Sequence, residues 1–261
     1  MSNGSTMDMR TAIFLAAVCG QTYMQYDNNG LFLLPETYRL VGSFSAASYA
    51  GSEEPFGFVL ESDRAAILAF RGTSSPTDWV TDMIAQQTVF KPLGRTLMTH
   101  RGFTDLYMAA RSTIFRLLDS VPASKPLFVT GHSLGGALAT LASADIAANR
   151  KTESLITYTF GAPRVGDPAF VRSYNALVPI SFRIQNEFDV VPHLPPLVYT
   201  SPKTDKTYYY MHVKEEVKRS FRNGSVGGNH VISSYFADLA RDASAFTAAI
   251  CSGPPGWCPL K

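Results

Sequence analysis

Between residues 56 and 241 the chain alternates short apolar runs suited to extended backbone with longer stretches of helical periodicity. That alternation constrains the fold more than any other feature of the sequence. Strand–helix–strand order lays successive strands side by side and parallel, with helices covering both faces of the sheet. F-G-F-V-L (56–60) and A-A-I-L-A-F (65–70) read as paired strands joined across E-S-D-R. A helix at 103–119 follows, with Leu106, Ala110, Ile114 and Leu117 at helical spacing. L-F-V-T (127–130) is a short buried strand, and 134–149 a helix with Leu138, Leu141, Ala142 and Ile146 on its apolar face. Strands at 155–160 and 180–184 flank a helix at 169–177; T-Y-Y-Y-M-H-V (207–213) is a further strand and 231–241 a last helix.

No repeat, low-complexity segment or linker divides the 261 residues, so the expectation is one α/β domain spanning 1–261. Apolar residues make up 46% of the chain, ample for a core, and the net charge of +2 favours no particular partner. The densest basic stretch, 214–222, includes Glu215 and Glu216 and reads as a solvated face; nucleic acid is not an expected partner. Arg10 followed by A-I-F-L-A-A-V-C-G superficially resembles a secretion signal, but the apolar stretch is short and Val18 is bulky where cleavage needs a small residue. Ile13, Ala16, Ala17 and Gly20 share one helical face, which favours a buried first helix. No apolar run approaches the roughly 20 residues that span a bilayer. Cys19 reads as a small buried apolar residue. Cys251 and Cys258 flank S-G-P-P-G-W, and either two free thiols or a disulfide would suit a Pro/Gly-rich tail at 251–261; the compartment stays open.

The chemistry concentrates in V-T-G-H-S-L-G-G-A-L-A-T, 129–140. Gly131-His132-Ser133-Leu134-Gly135 fits G-x-S-x-G and falls between an expected strand and an expected helix, the context of a nucleophile elbow. There, small neighbours permit a strained turn that lifts the serine hydroxyl clear, and the helix aims its first amides where negative charge develops. A nucleophile of this kind needs a base and an orienting acid after it in the chain. Of five histidines, His100 precedes the serine, His132 adjoins it, His193 is wedged in V-P-H-L-P-P and His212 lies in a strand. His230, in G-G-N-H-V-I before the last helix, sits on a loop from which a ring can swing to the serine. Asp189 follows the strand at 180–184, at the same sheet edge; Asp167 before Pro168 reads as a helix cap, and Asp205 lies in a polar turn.

A-F-R-G-T-S-S, T-H-R-G-F, V-T-G-H-S-L-G-G-A-L-A-T-L, T-F-G-A-P-R-V-G, N-E-F-D-V-V-P-H-L-P-P and N-H-V-I-S-S-Y-F follow one another between Ala69 and Phe236. In these stretches the sequence resembles the class 3 lipases, the family of the filamentous-fungal triacylglycerol lipases and their bacterial relatives. The resemblance implies an α/β-hydrolase fold with a central, mostly parallel sheet, helices on both faces and a short helical lid. It implies Ser133, Asp189 and His230 as the triad, Thr73 and the amide of Leu134 as the oxyanion hole, and a lid at about 75–84 carrying Trp79, Val80, Met83 and Ile84. The implied activity is hydrolysis of acylglycerol esters at a lipid–water interface through an acyl-enzyme, without cofactor or metal. A feruloyl-type or general carboxylesterase, or a phospholipase, on the same scaffold is the alternative. More remote is a lipid-binding protein without catalysis.

Overall fold

A computed structural model describes residues 6–47, 53–73, 86–202 and 204–259. Among them a seven-stranded sheet runs in the order β1 (Arg39–Ala47), β2 (Glu53–Glu61), β3 (Ala66–Phe70), β6 (Leu127–His132), β7 (Leu155–Phe160), β8 (Ile180–Asn186) and β11 (Glu216–Arg219). β1, β2 and β3 pair antiparallel; from β3 through β11 every neighbour is parallel. Two small ribbons, β4 (Gln87–Val89) with β5 (Met98–His100) and β9 (Val198–Thr200) with β10 (Thr207–Tyr209), stand outside it.

Period-two alternation assigns each strand's side chains to one of two cores. On β3, Ala66, Leu68 and Phe70 join a core formed with α2 (Arg101–Asp119), α3 (Leu134–Asn149) and α4 (Pro168–Leu177), while Ile67 and Ala69 face the opposite side. That second core is built on α1 (Met9–Asp27) and α5 (Ile232–Ala240), with α6 (Ser244–Cys251) packed beside it. The three-layer arrangement expected from strand–helix alternation is present. α1 is buried almost all round, not along one face. It is capped by Asp8, whose carboxylate accepts from the Thr11 amide. α3 is likewise enclosed from Leu134 to Ile146. Its buried Asp145 accepts from Arg111 at 2.6 and 2.9 Å, from Tyr107 at 2.6 Å and from Asn149 at 2.8 Å, tying α2 to α3. Removing one partner from such a buried pair costs about 3–5 kcal/mol.

The structure adds elements that the periodicity does not announce and trims one that it does. β1, β4, β5, β9, β11 and α6 are additional. The basic stretch at 214–222 contains β11, an edge strand on which Arg219 pairs with Asp238 and Asp242. The strand expected at 207–213 ends at Tyr209; beyond it Met211 forms a single bridge to Gly166. Asp167 caps α4 with Pro168 at its first position, as its sequence context indicates. Cys251 and Cys258 are bridged, and Cys19 is free and buried. The tail they close packs on α1, where the Gln21 amide donates to the carbonyls of Gly256 and Trp257. Among the described residues no helix is long and apolar enough to cross a membrane. The expected lid at 75–84, with Trp79, Val80, Met83 and Ile84, lies outside the described residues.

Candidate active site

β6 ends at His132 and α3 begins at Leu134, leaving Ser133 alone in the turn with φ 59° and ψ −128°. A side chain held at positive φ stores roughly 1–3 kcal/mol of backbone strain, tolerated where the surroundings over-determine it. Here close packing does so. A Cβ on Gly131 would lie 2.1 Å from the Gly135 carbonyl oxygen, and one on Gly135 2.3 Å from the Phe70 carbonyl oxygen. The glycines that interrupt a helical sequence thus let α3 start directly against β3 and β6. The Ser133 amide donates to the Phe160 carbonyl at 2.9 Å, fixing the turn to β7.

Three parallel strands deliver the remaining groups to the same edge. Beyond β8, Asp189 accepts the Val191 amide on Oδ1 at 2.9 Å. Its Oδ2 accepts from His230 Nδ1 at 2.7 Å and from the Tyr235 hydroxyl at 2.6 Å. His230 Nε2 lies 2.8 Å from Ser133 Oγ. The sequence-expected serine, histidine and aspartate therefore meet in one hydrogen-bonded line. All three are at most 2% exposed, so the serine is enclosed, contrary to the open hydroxyl an elbow alone suggests.

Beyond β3, Arg71 anchors the segment leading to Thr73. Its guanidinium stacks on Tyr26 at 3.9 Å and donates to the Pro55 carbonyl and to Glu54. Thr73 Oγ1 is buried without a hydrogen-bond partner among the described residues. The amide of Leu134, first in α3, has no intrahelical acceptor to meet. Gly72, the residue before Thr73, packs against the serine: a Cβ there would lie 3.1 Å from Ser133 Cβ.

The other histidines have structural partners. His100 Nδ1 accepts from the Phe103 amide and caps α2; burial pushes its pKa down to about 3. His212 Nε2 donates to the Pro192 carbonyl, and burial with the nearby Arg183 lowers its pKa to about 3 as well. His193 is exposed, and its carbonyl accepts from Arg164. His132 is buried between Tyr23 and the His230 carbonyl, and burial holds its pKa well below the usual value.

Tyr235 and Gly161 escaped the sequence reading. Tyr235 lies five residues beyond His230 within N-H-V-I-S-S-Y-F, in the first turn of α5, and carries no signal apart from that spacing. Burial and the Asp189 carboxylate push its pKa well up, so it remains a donor. Gly161, at φ +55°, brings bare backbone against the acid.

The sequence matches the model of the family described as Lipase (class 3) over residues 67–199, just over half of the chain. It is 37% identical to a lipase of Rhizomucor miehei over 147 residues, 53% of this chain and 40% of that one. It is 28% identical to secreted mono- and diacylglycerol lipase 1 of Fusarium solani over 215 residues, 74% of this chain and 63% of the other. The crystal structure of a mutant form of MDLA from Penicillium cyclopium superposes with a TM-score of 0.69 at 26% identity, covering 85% of this chain and 83% of that one. The chain spans less than two thirds of the length of the two curated relatives. The elbow, the hydrogen-bonded line behind it and the family match agree: this chain belongs to the class 3 lipase family.

Proposed function

We propose that this protein is a serine ester hydrolase of acylglycerols, acting at a lipid–water interface as a single α/β-hydrolase domain. The observation that carries this is the line Ser133 Oγ–His230 Nε2 and Nδ1–Asp189 Oδ2, at 2.8 and 2.7 Å. Ser133 attacks the ester carbonyl carbon while His230 Nε2 takes its proton. Asp189 holds the ring so that Nδ1 keeps its hydrogen, and stabilises the imidazolium. The amides of Thr73 and Leu134, joined by the Thr73 hydroxyl, receive the oxyanion. His230 returns the proton to the leaving alcohol, and water then cleaves the acyl-enzyme by the same route, releasing the carboxylic acid.

The burial of Ser133 favours a lid at about 75–84, since an ester reaches the hydroxyl only if a covering segment moves. Val190, next to the acid in the chain, is an exposed apolar side chain suited to contact with a lipid surface. The Cys251–Cys258 bridge favours an oxidising compartment.

Hydrolysis of a p-nitrophenyl acyl ester tests the chemistry. Ser133→Ala and His230→Ala should lose at least about 10⁴-fold in kcat, whereas His193→Ala should keep most of it. Equal loss in His193→Ala and Ser133→Ala would refute the assignment of the base. The interfacial part is tested separately. Trp79→Ser should lower turnover of emulsified tributyrin far more than that of a soluble ester, and equal loss on both would favour a soluble esterase.

A further inference from the structure

The nucleophile has a hydrogen-bonded chain behind it that the triad does not use. His132 Nε2 lies 2.6 Å from the carbonyl oxygen of His230. A carbonyl can only accept, so Nε2 carries the hydrogen, and burial keeps the ring neutral. Nδ1 is therefore a bare acceptor, and the Tyr23 hydroxyl donates to it at 2.7 Å. Tyr23 belongs to α1, outside the segment that matches the family model.

The chain continues past Tyr23. Gly72 packs so tightly on this hydroxyl that a Cβ there would lie 2.1 Å from Tyr23 Oη, 2.8 Å from the His132 carbonyl oxygen and 3.1 Å from Ser133 Cβ. The Gly72 backbone is thus packed directly against the Tyr23 hydroxyl. Gly72 directly precedes Thr73. One line thus runs from the segment bearing the oxyanion donor, through Tyr23 and His132, to the backbone of the base, passing behind Ser133.

We propose that Tyr23 and His132 are positioning residues for ester hydrolysis, locking the oxyanion segment and the His230 backbone to each other. The inference rests on the serine-hydrolase reading above. Its physical basis is that both ends need such a tie. His230 sits on a loop, where its own amide donates to the Gly227 carbonyl and its ring is held by Asp189. Thr73 lies past the end of β3, and its hydroxyl has no partner among the described residues. The attacking oxygen and the oxyanion donors must be registered to a fraction of an ångström, and a shared chain of contacts fixes both against one reference. Tyr23 supplies a hydroxyl that donates to His132 Nδ1 and on which Gly72 packs, and phenylalanine lacks it.

Tyr23→Phe removes that oxygen and keeps the ring. On a soluble short-chain p-nitrophenyl ester it should lower kcat by about 10-fold, with KM changed less than about 2-fold. Thr73→Val alone should lower kcat by about 10²-fold. The double variant should also lie near 10²-fold, well short of the product of the two, because Tyr23 acts through the segment that Thr73 occupies. A purely structural tyrosine would give multiplicative losses. His132→Gln, whose amide nitrogen can take the place of Nε2 but which has no acceptor at the position of Nδ1, should match Tyr23→Phe and add little to it. This second variant decides the matter if Tyr23→Phe does not fold. Multiplicative losses, or wild-type kcat in both variants, would overturn the inference while leaving the triad intact. Absence of Ser133-dependent turnover in the wild-type chain would overturn both readings.

Discussion

Three of the five histidines are held neutral inside the fold, and acid should therefore unfold this protein early. His100 and His132 are at most 2% exposed, and each spends a ring nitrogen as an acceptor, from the Phe103 amide and from the Tyr23 hydroxyl. His212 is mostly buried against the Pro192 carbonyl. Folded pKa values are about 3 for His100 and His212, and well below the usual value for His132. An unfolded histidine titrates near 6.5, so below that pH the unfolded chain binds protons that the native one refuses, and stability falls as pH falls. Between pH 7 and pH 5 each site removes about 2 kcal/mol, and the three together about 6 kcal/mol, comparable with the whole stability of many domains. Urea unfolding followed by tryptophan fluorescence should show the midpoint dropping by about 2 M over that interval. His212→Gln, which preserves a donor to Pro192, should remove about a third of the slope. A midpoint flat from pH 7 to pH 5, or an unchanged slope in that variant, would refute the argument.

Tyr235→Phe deletes one of three donors to Asp189 and strands the Asn186 amide, which donates to the hydroxyl at 3.0 Å. Stability should fall by about 2–3 kcal/mol and kcat by only about 3–10-fold, since Val191 and His230 still hold the carboxylate; a loss above 10³-fold would make Tyr235 a direct participant. In Asp189→Asn, kcat should fall by about 10⁴-fold with the fold retained, measured against the same soluble ester. Thiol titration under denaturing conditions should find one reactive group, Cys19. Cys251→Ser/Cys258→Ser should cost about 2–3 kcal/mol in urea unfolding, the loop being short.

The fold class was legible because buried parallel strands and amphipathic helices write different periods into the sequence, and β6, α2 and β7 show them clearly. β1, which carries glycine and serine and has an irregular register, and the three-residue strands β4, β5 and β9 are too short or too mixed to do so. Ser133, His230 and Asp189 were legible from motif, loop context and chain order. Tyr235 and Tyr23 were not, because a tyrosine in an apolar helix face looks the same whether its hydroxyl reaches solvent or a carboxylate. The enclosure of Ser133 is likewise a property of three-dimensional packing, which spacing cannot express.

β7 lies between the strand that carries the nucleophile and the strand that leads to the acid, and it contributes no reacting group. It ends at Phe160 and is followed by Gly161, where an added Cβ would stand 2.8 Å from Asp189 Oδ2, 3.0 Å from Tyr235 Oη and 3.3 Å from His230 Cε1. Strands repeat at about 4.8 Å, so the ends of β6 and β8 are set about 10 Å apart by the pleated sheet itself. The span the imidazole must bridge therefore comes in whole strand widths and cannot be adjusted in small steps by substitution. Drift in this sequence is channelled accordingly. Loops over the site can change which ester is admitted, while the machinery that cleaves it closes around Gly161, a position with no room for a side chain.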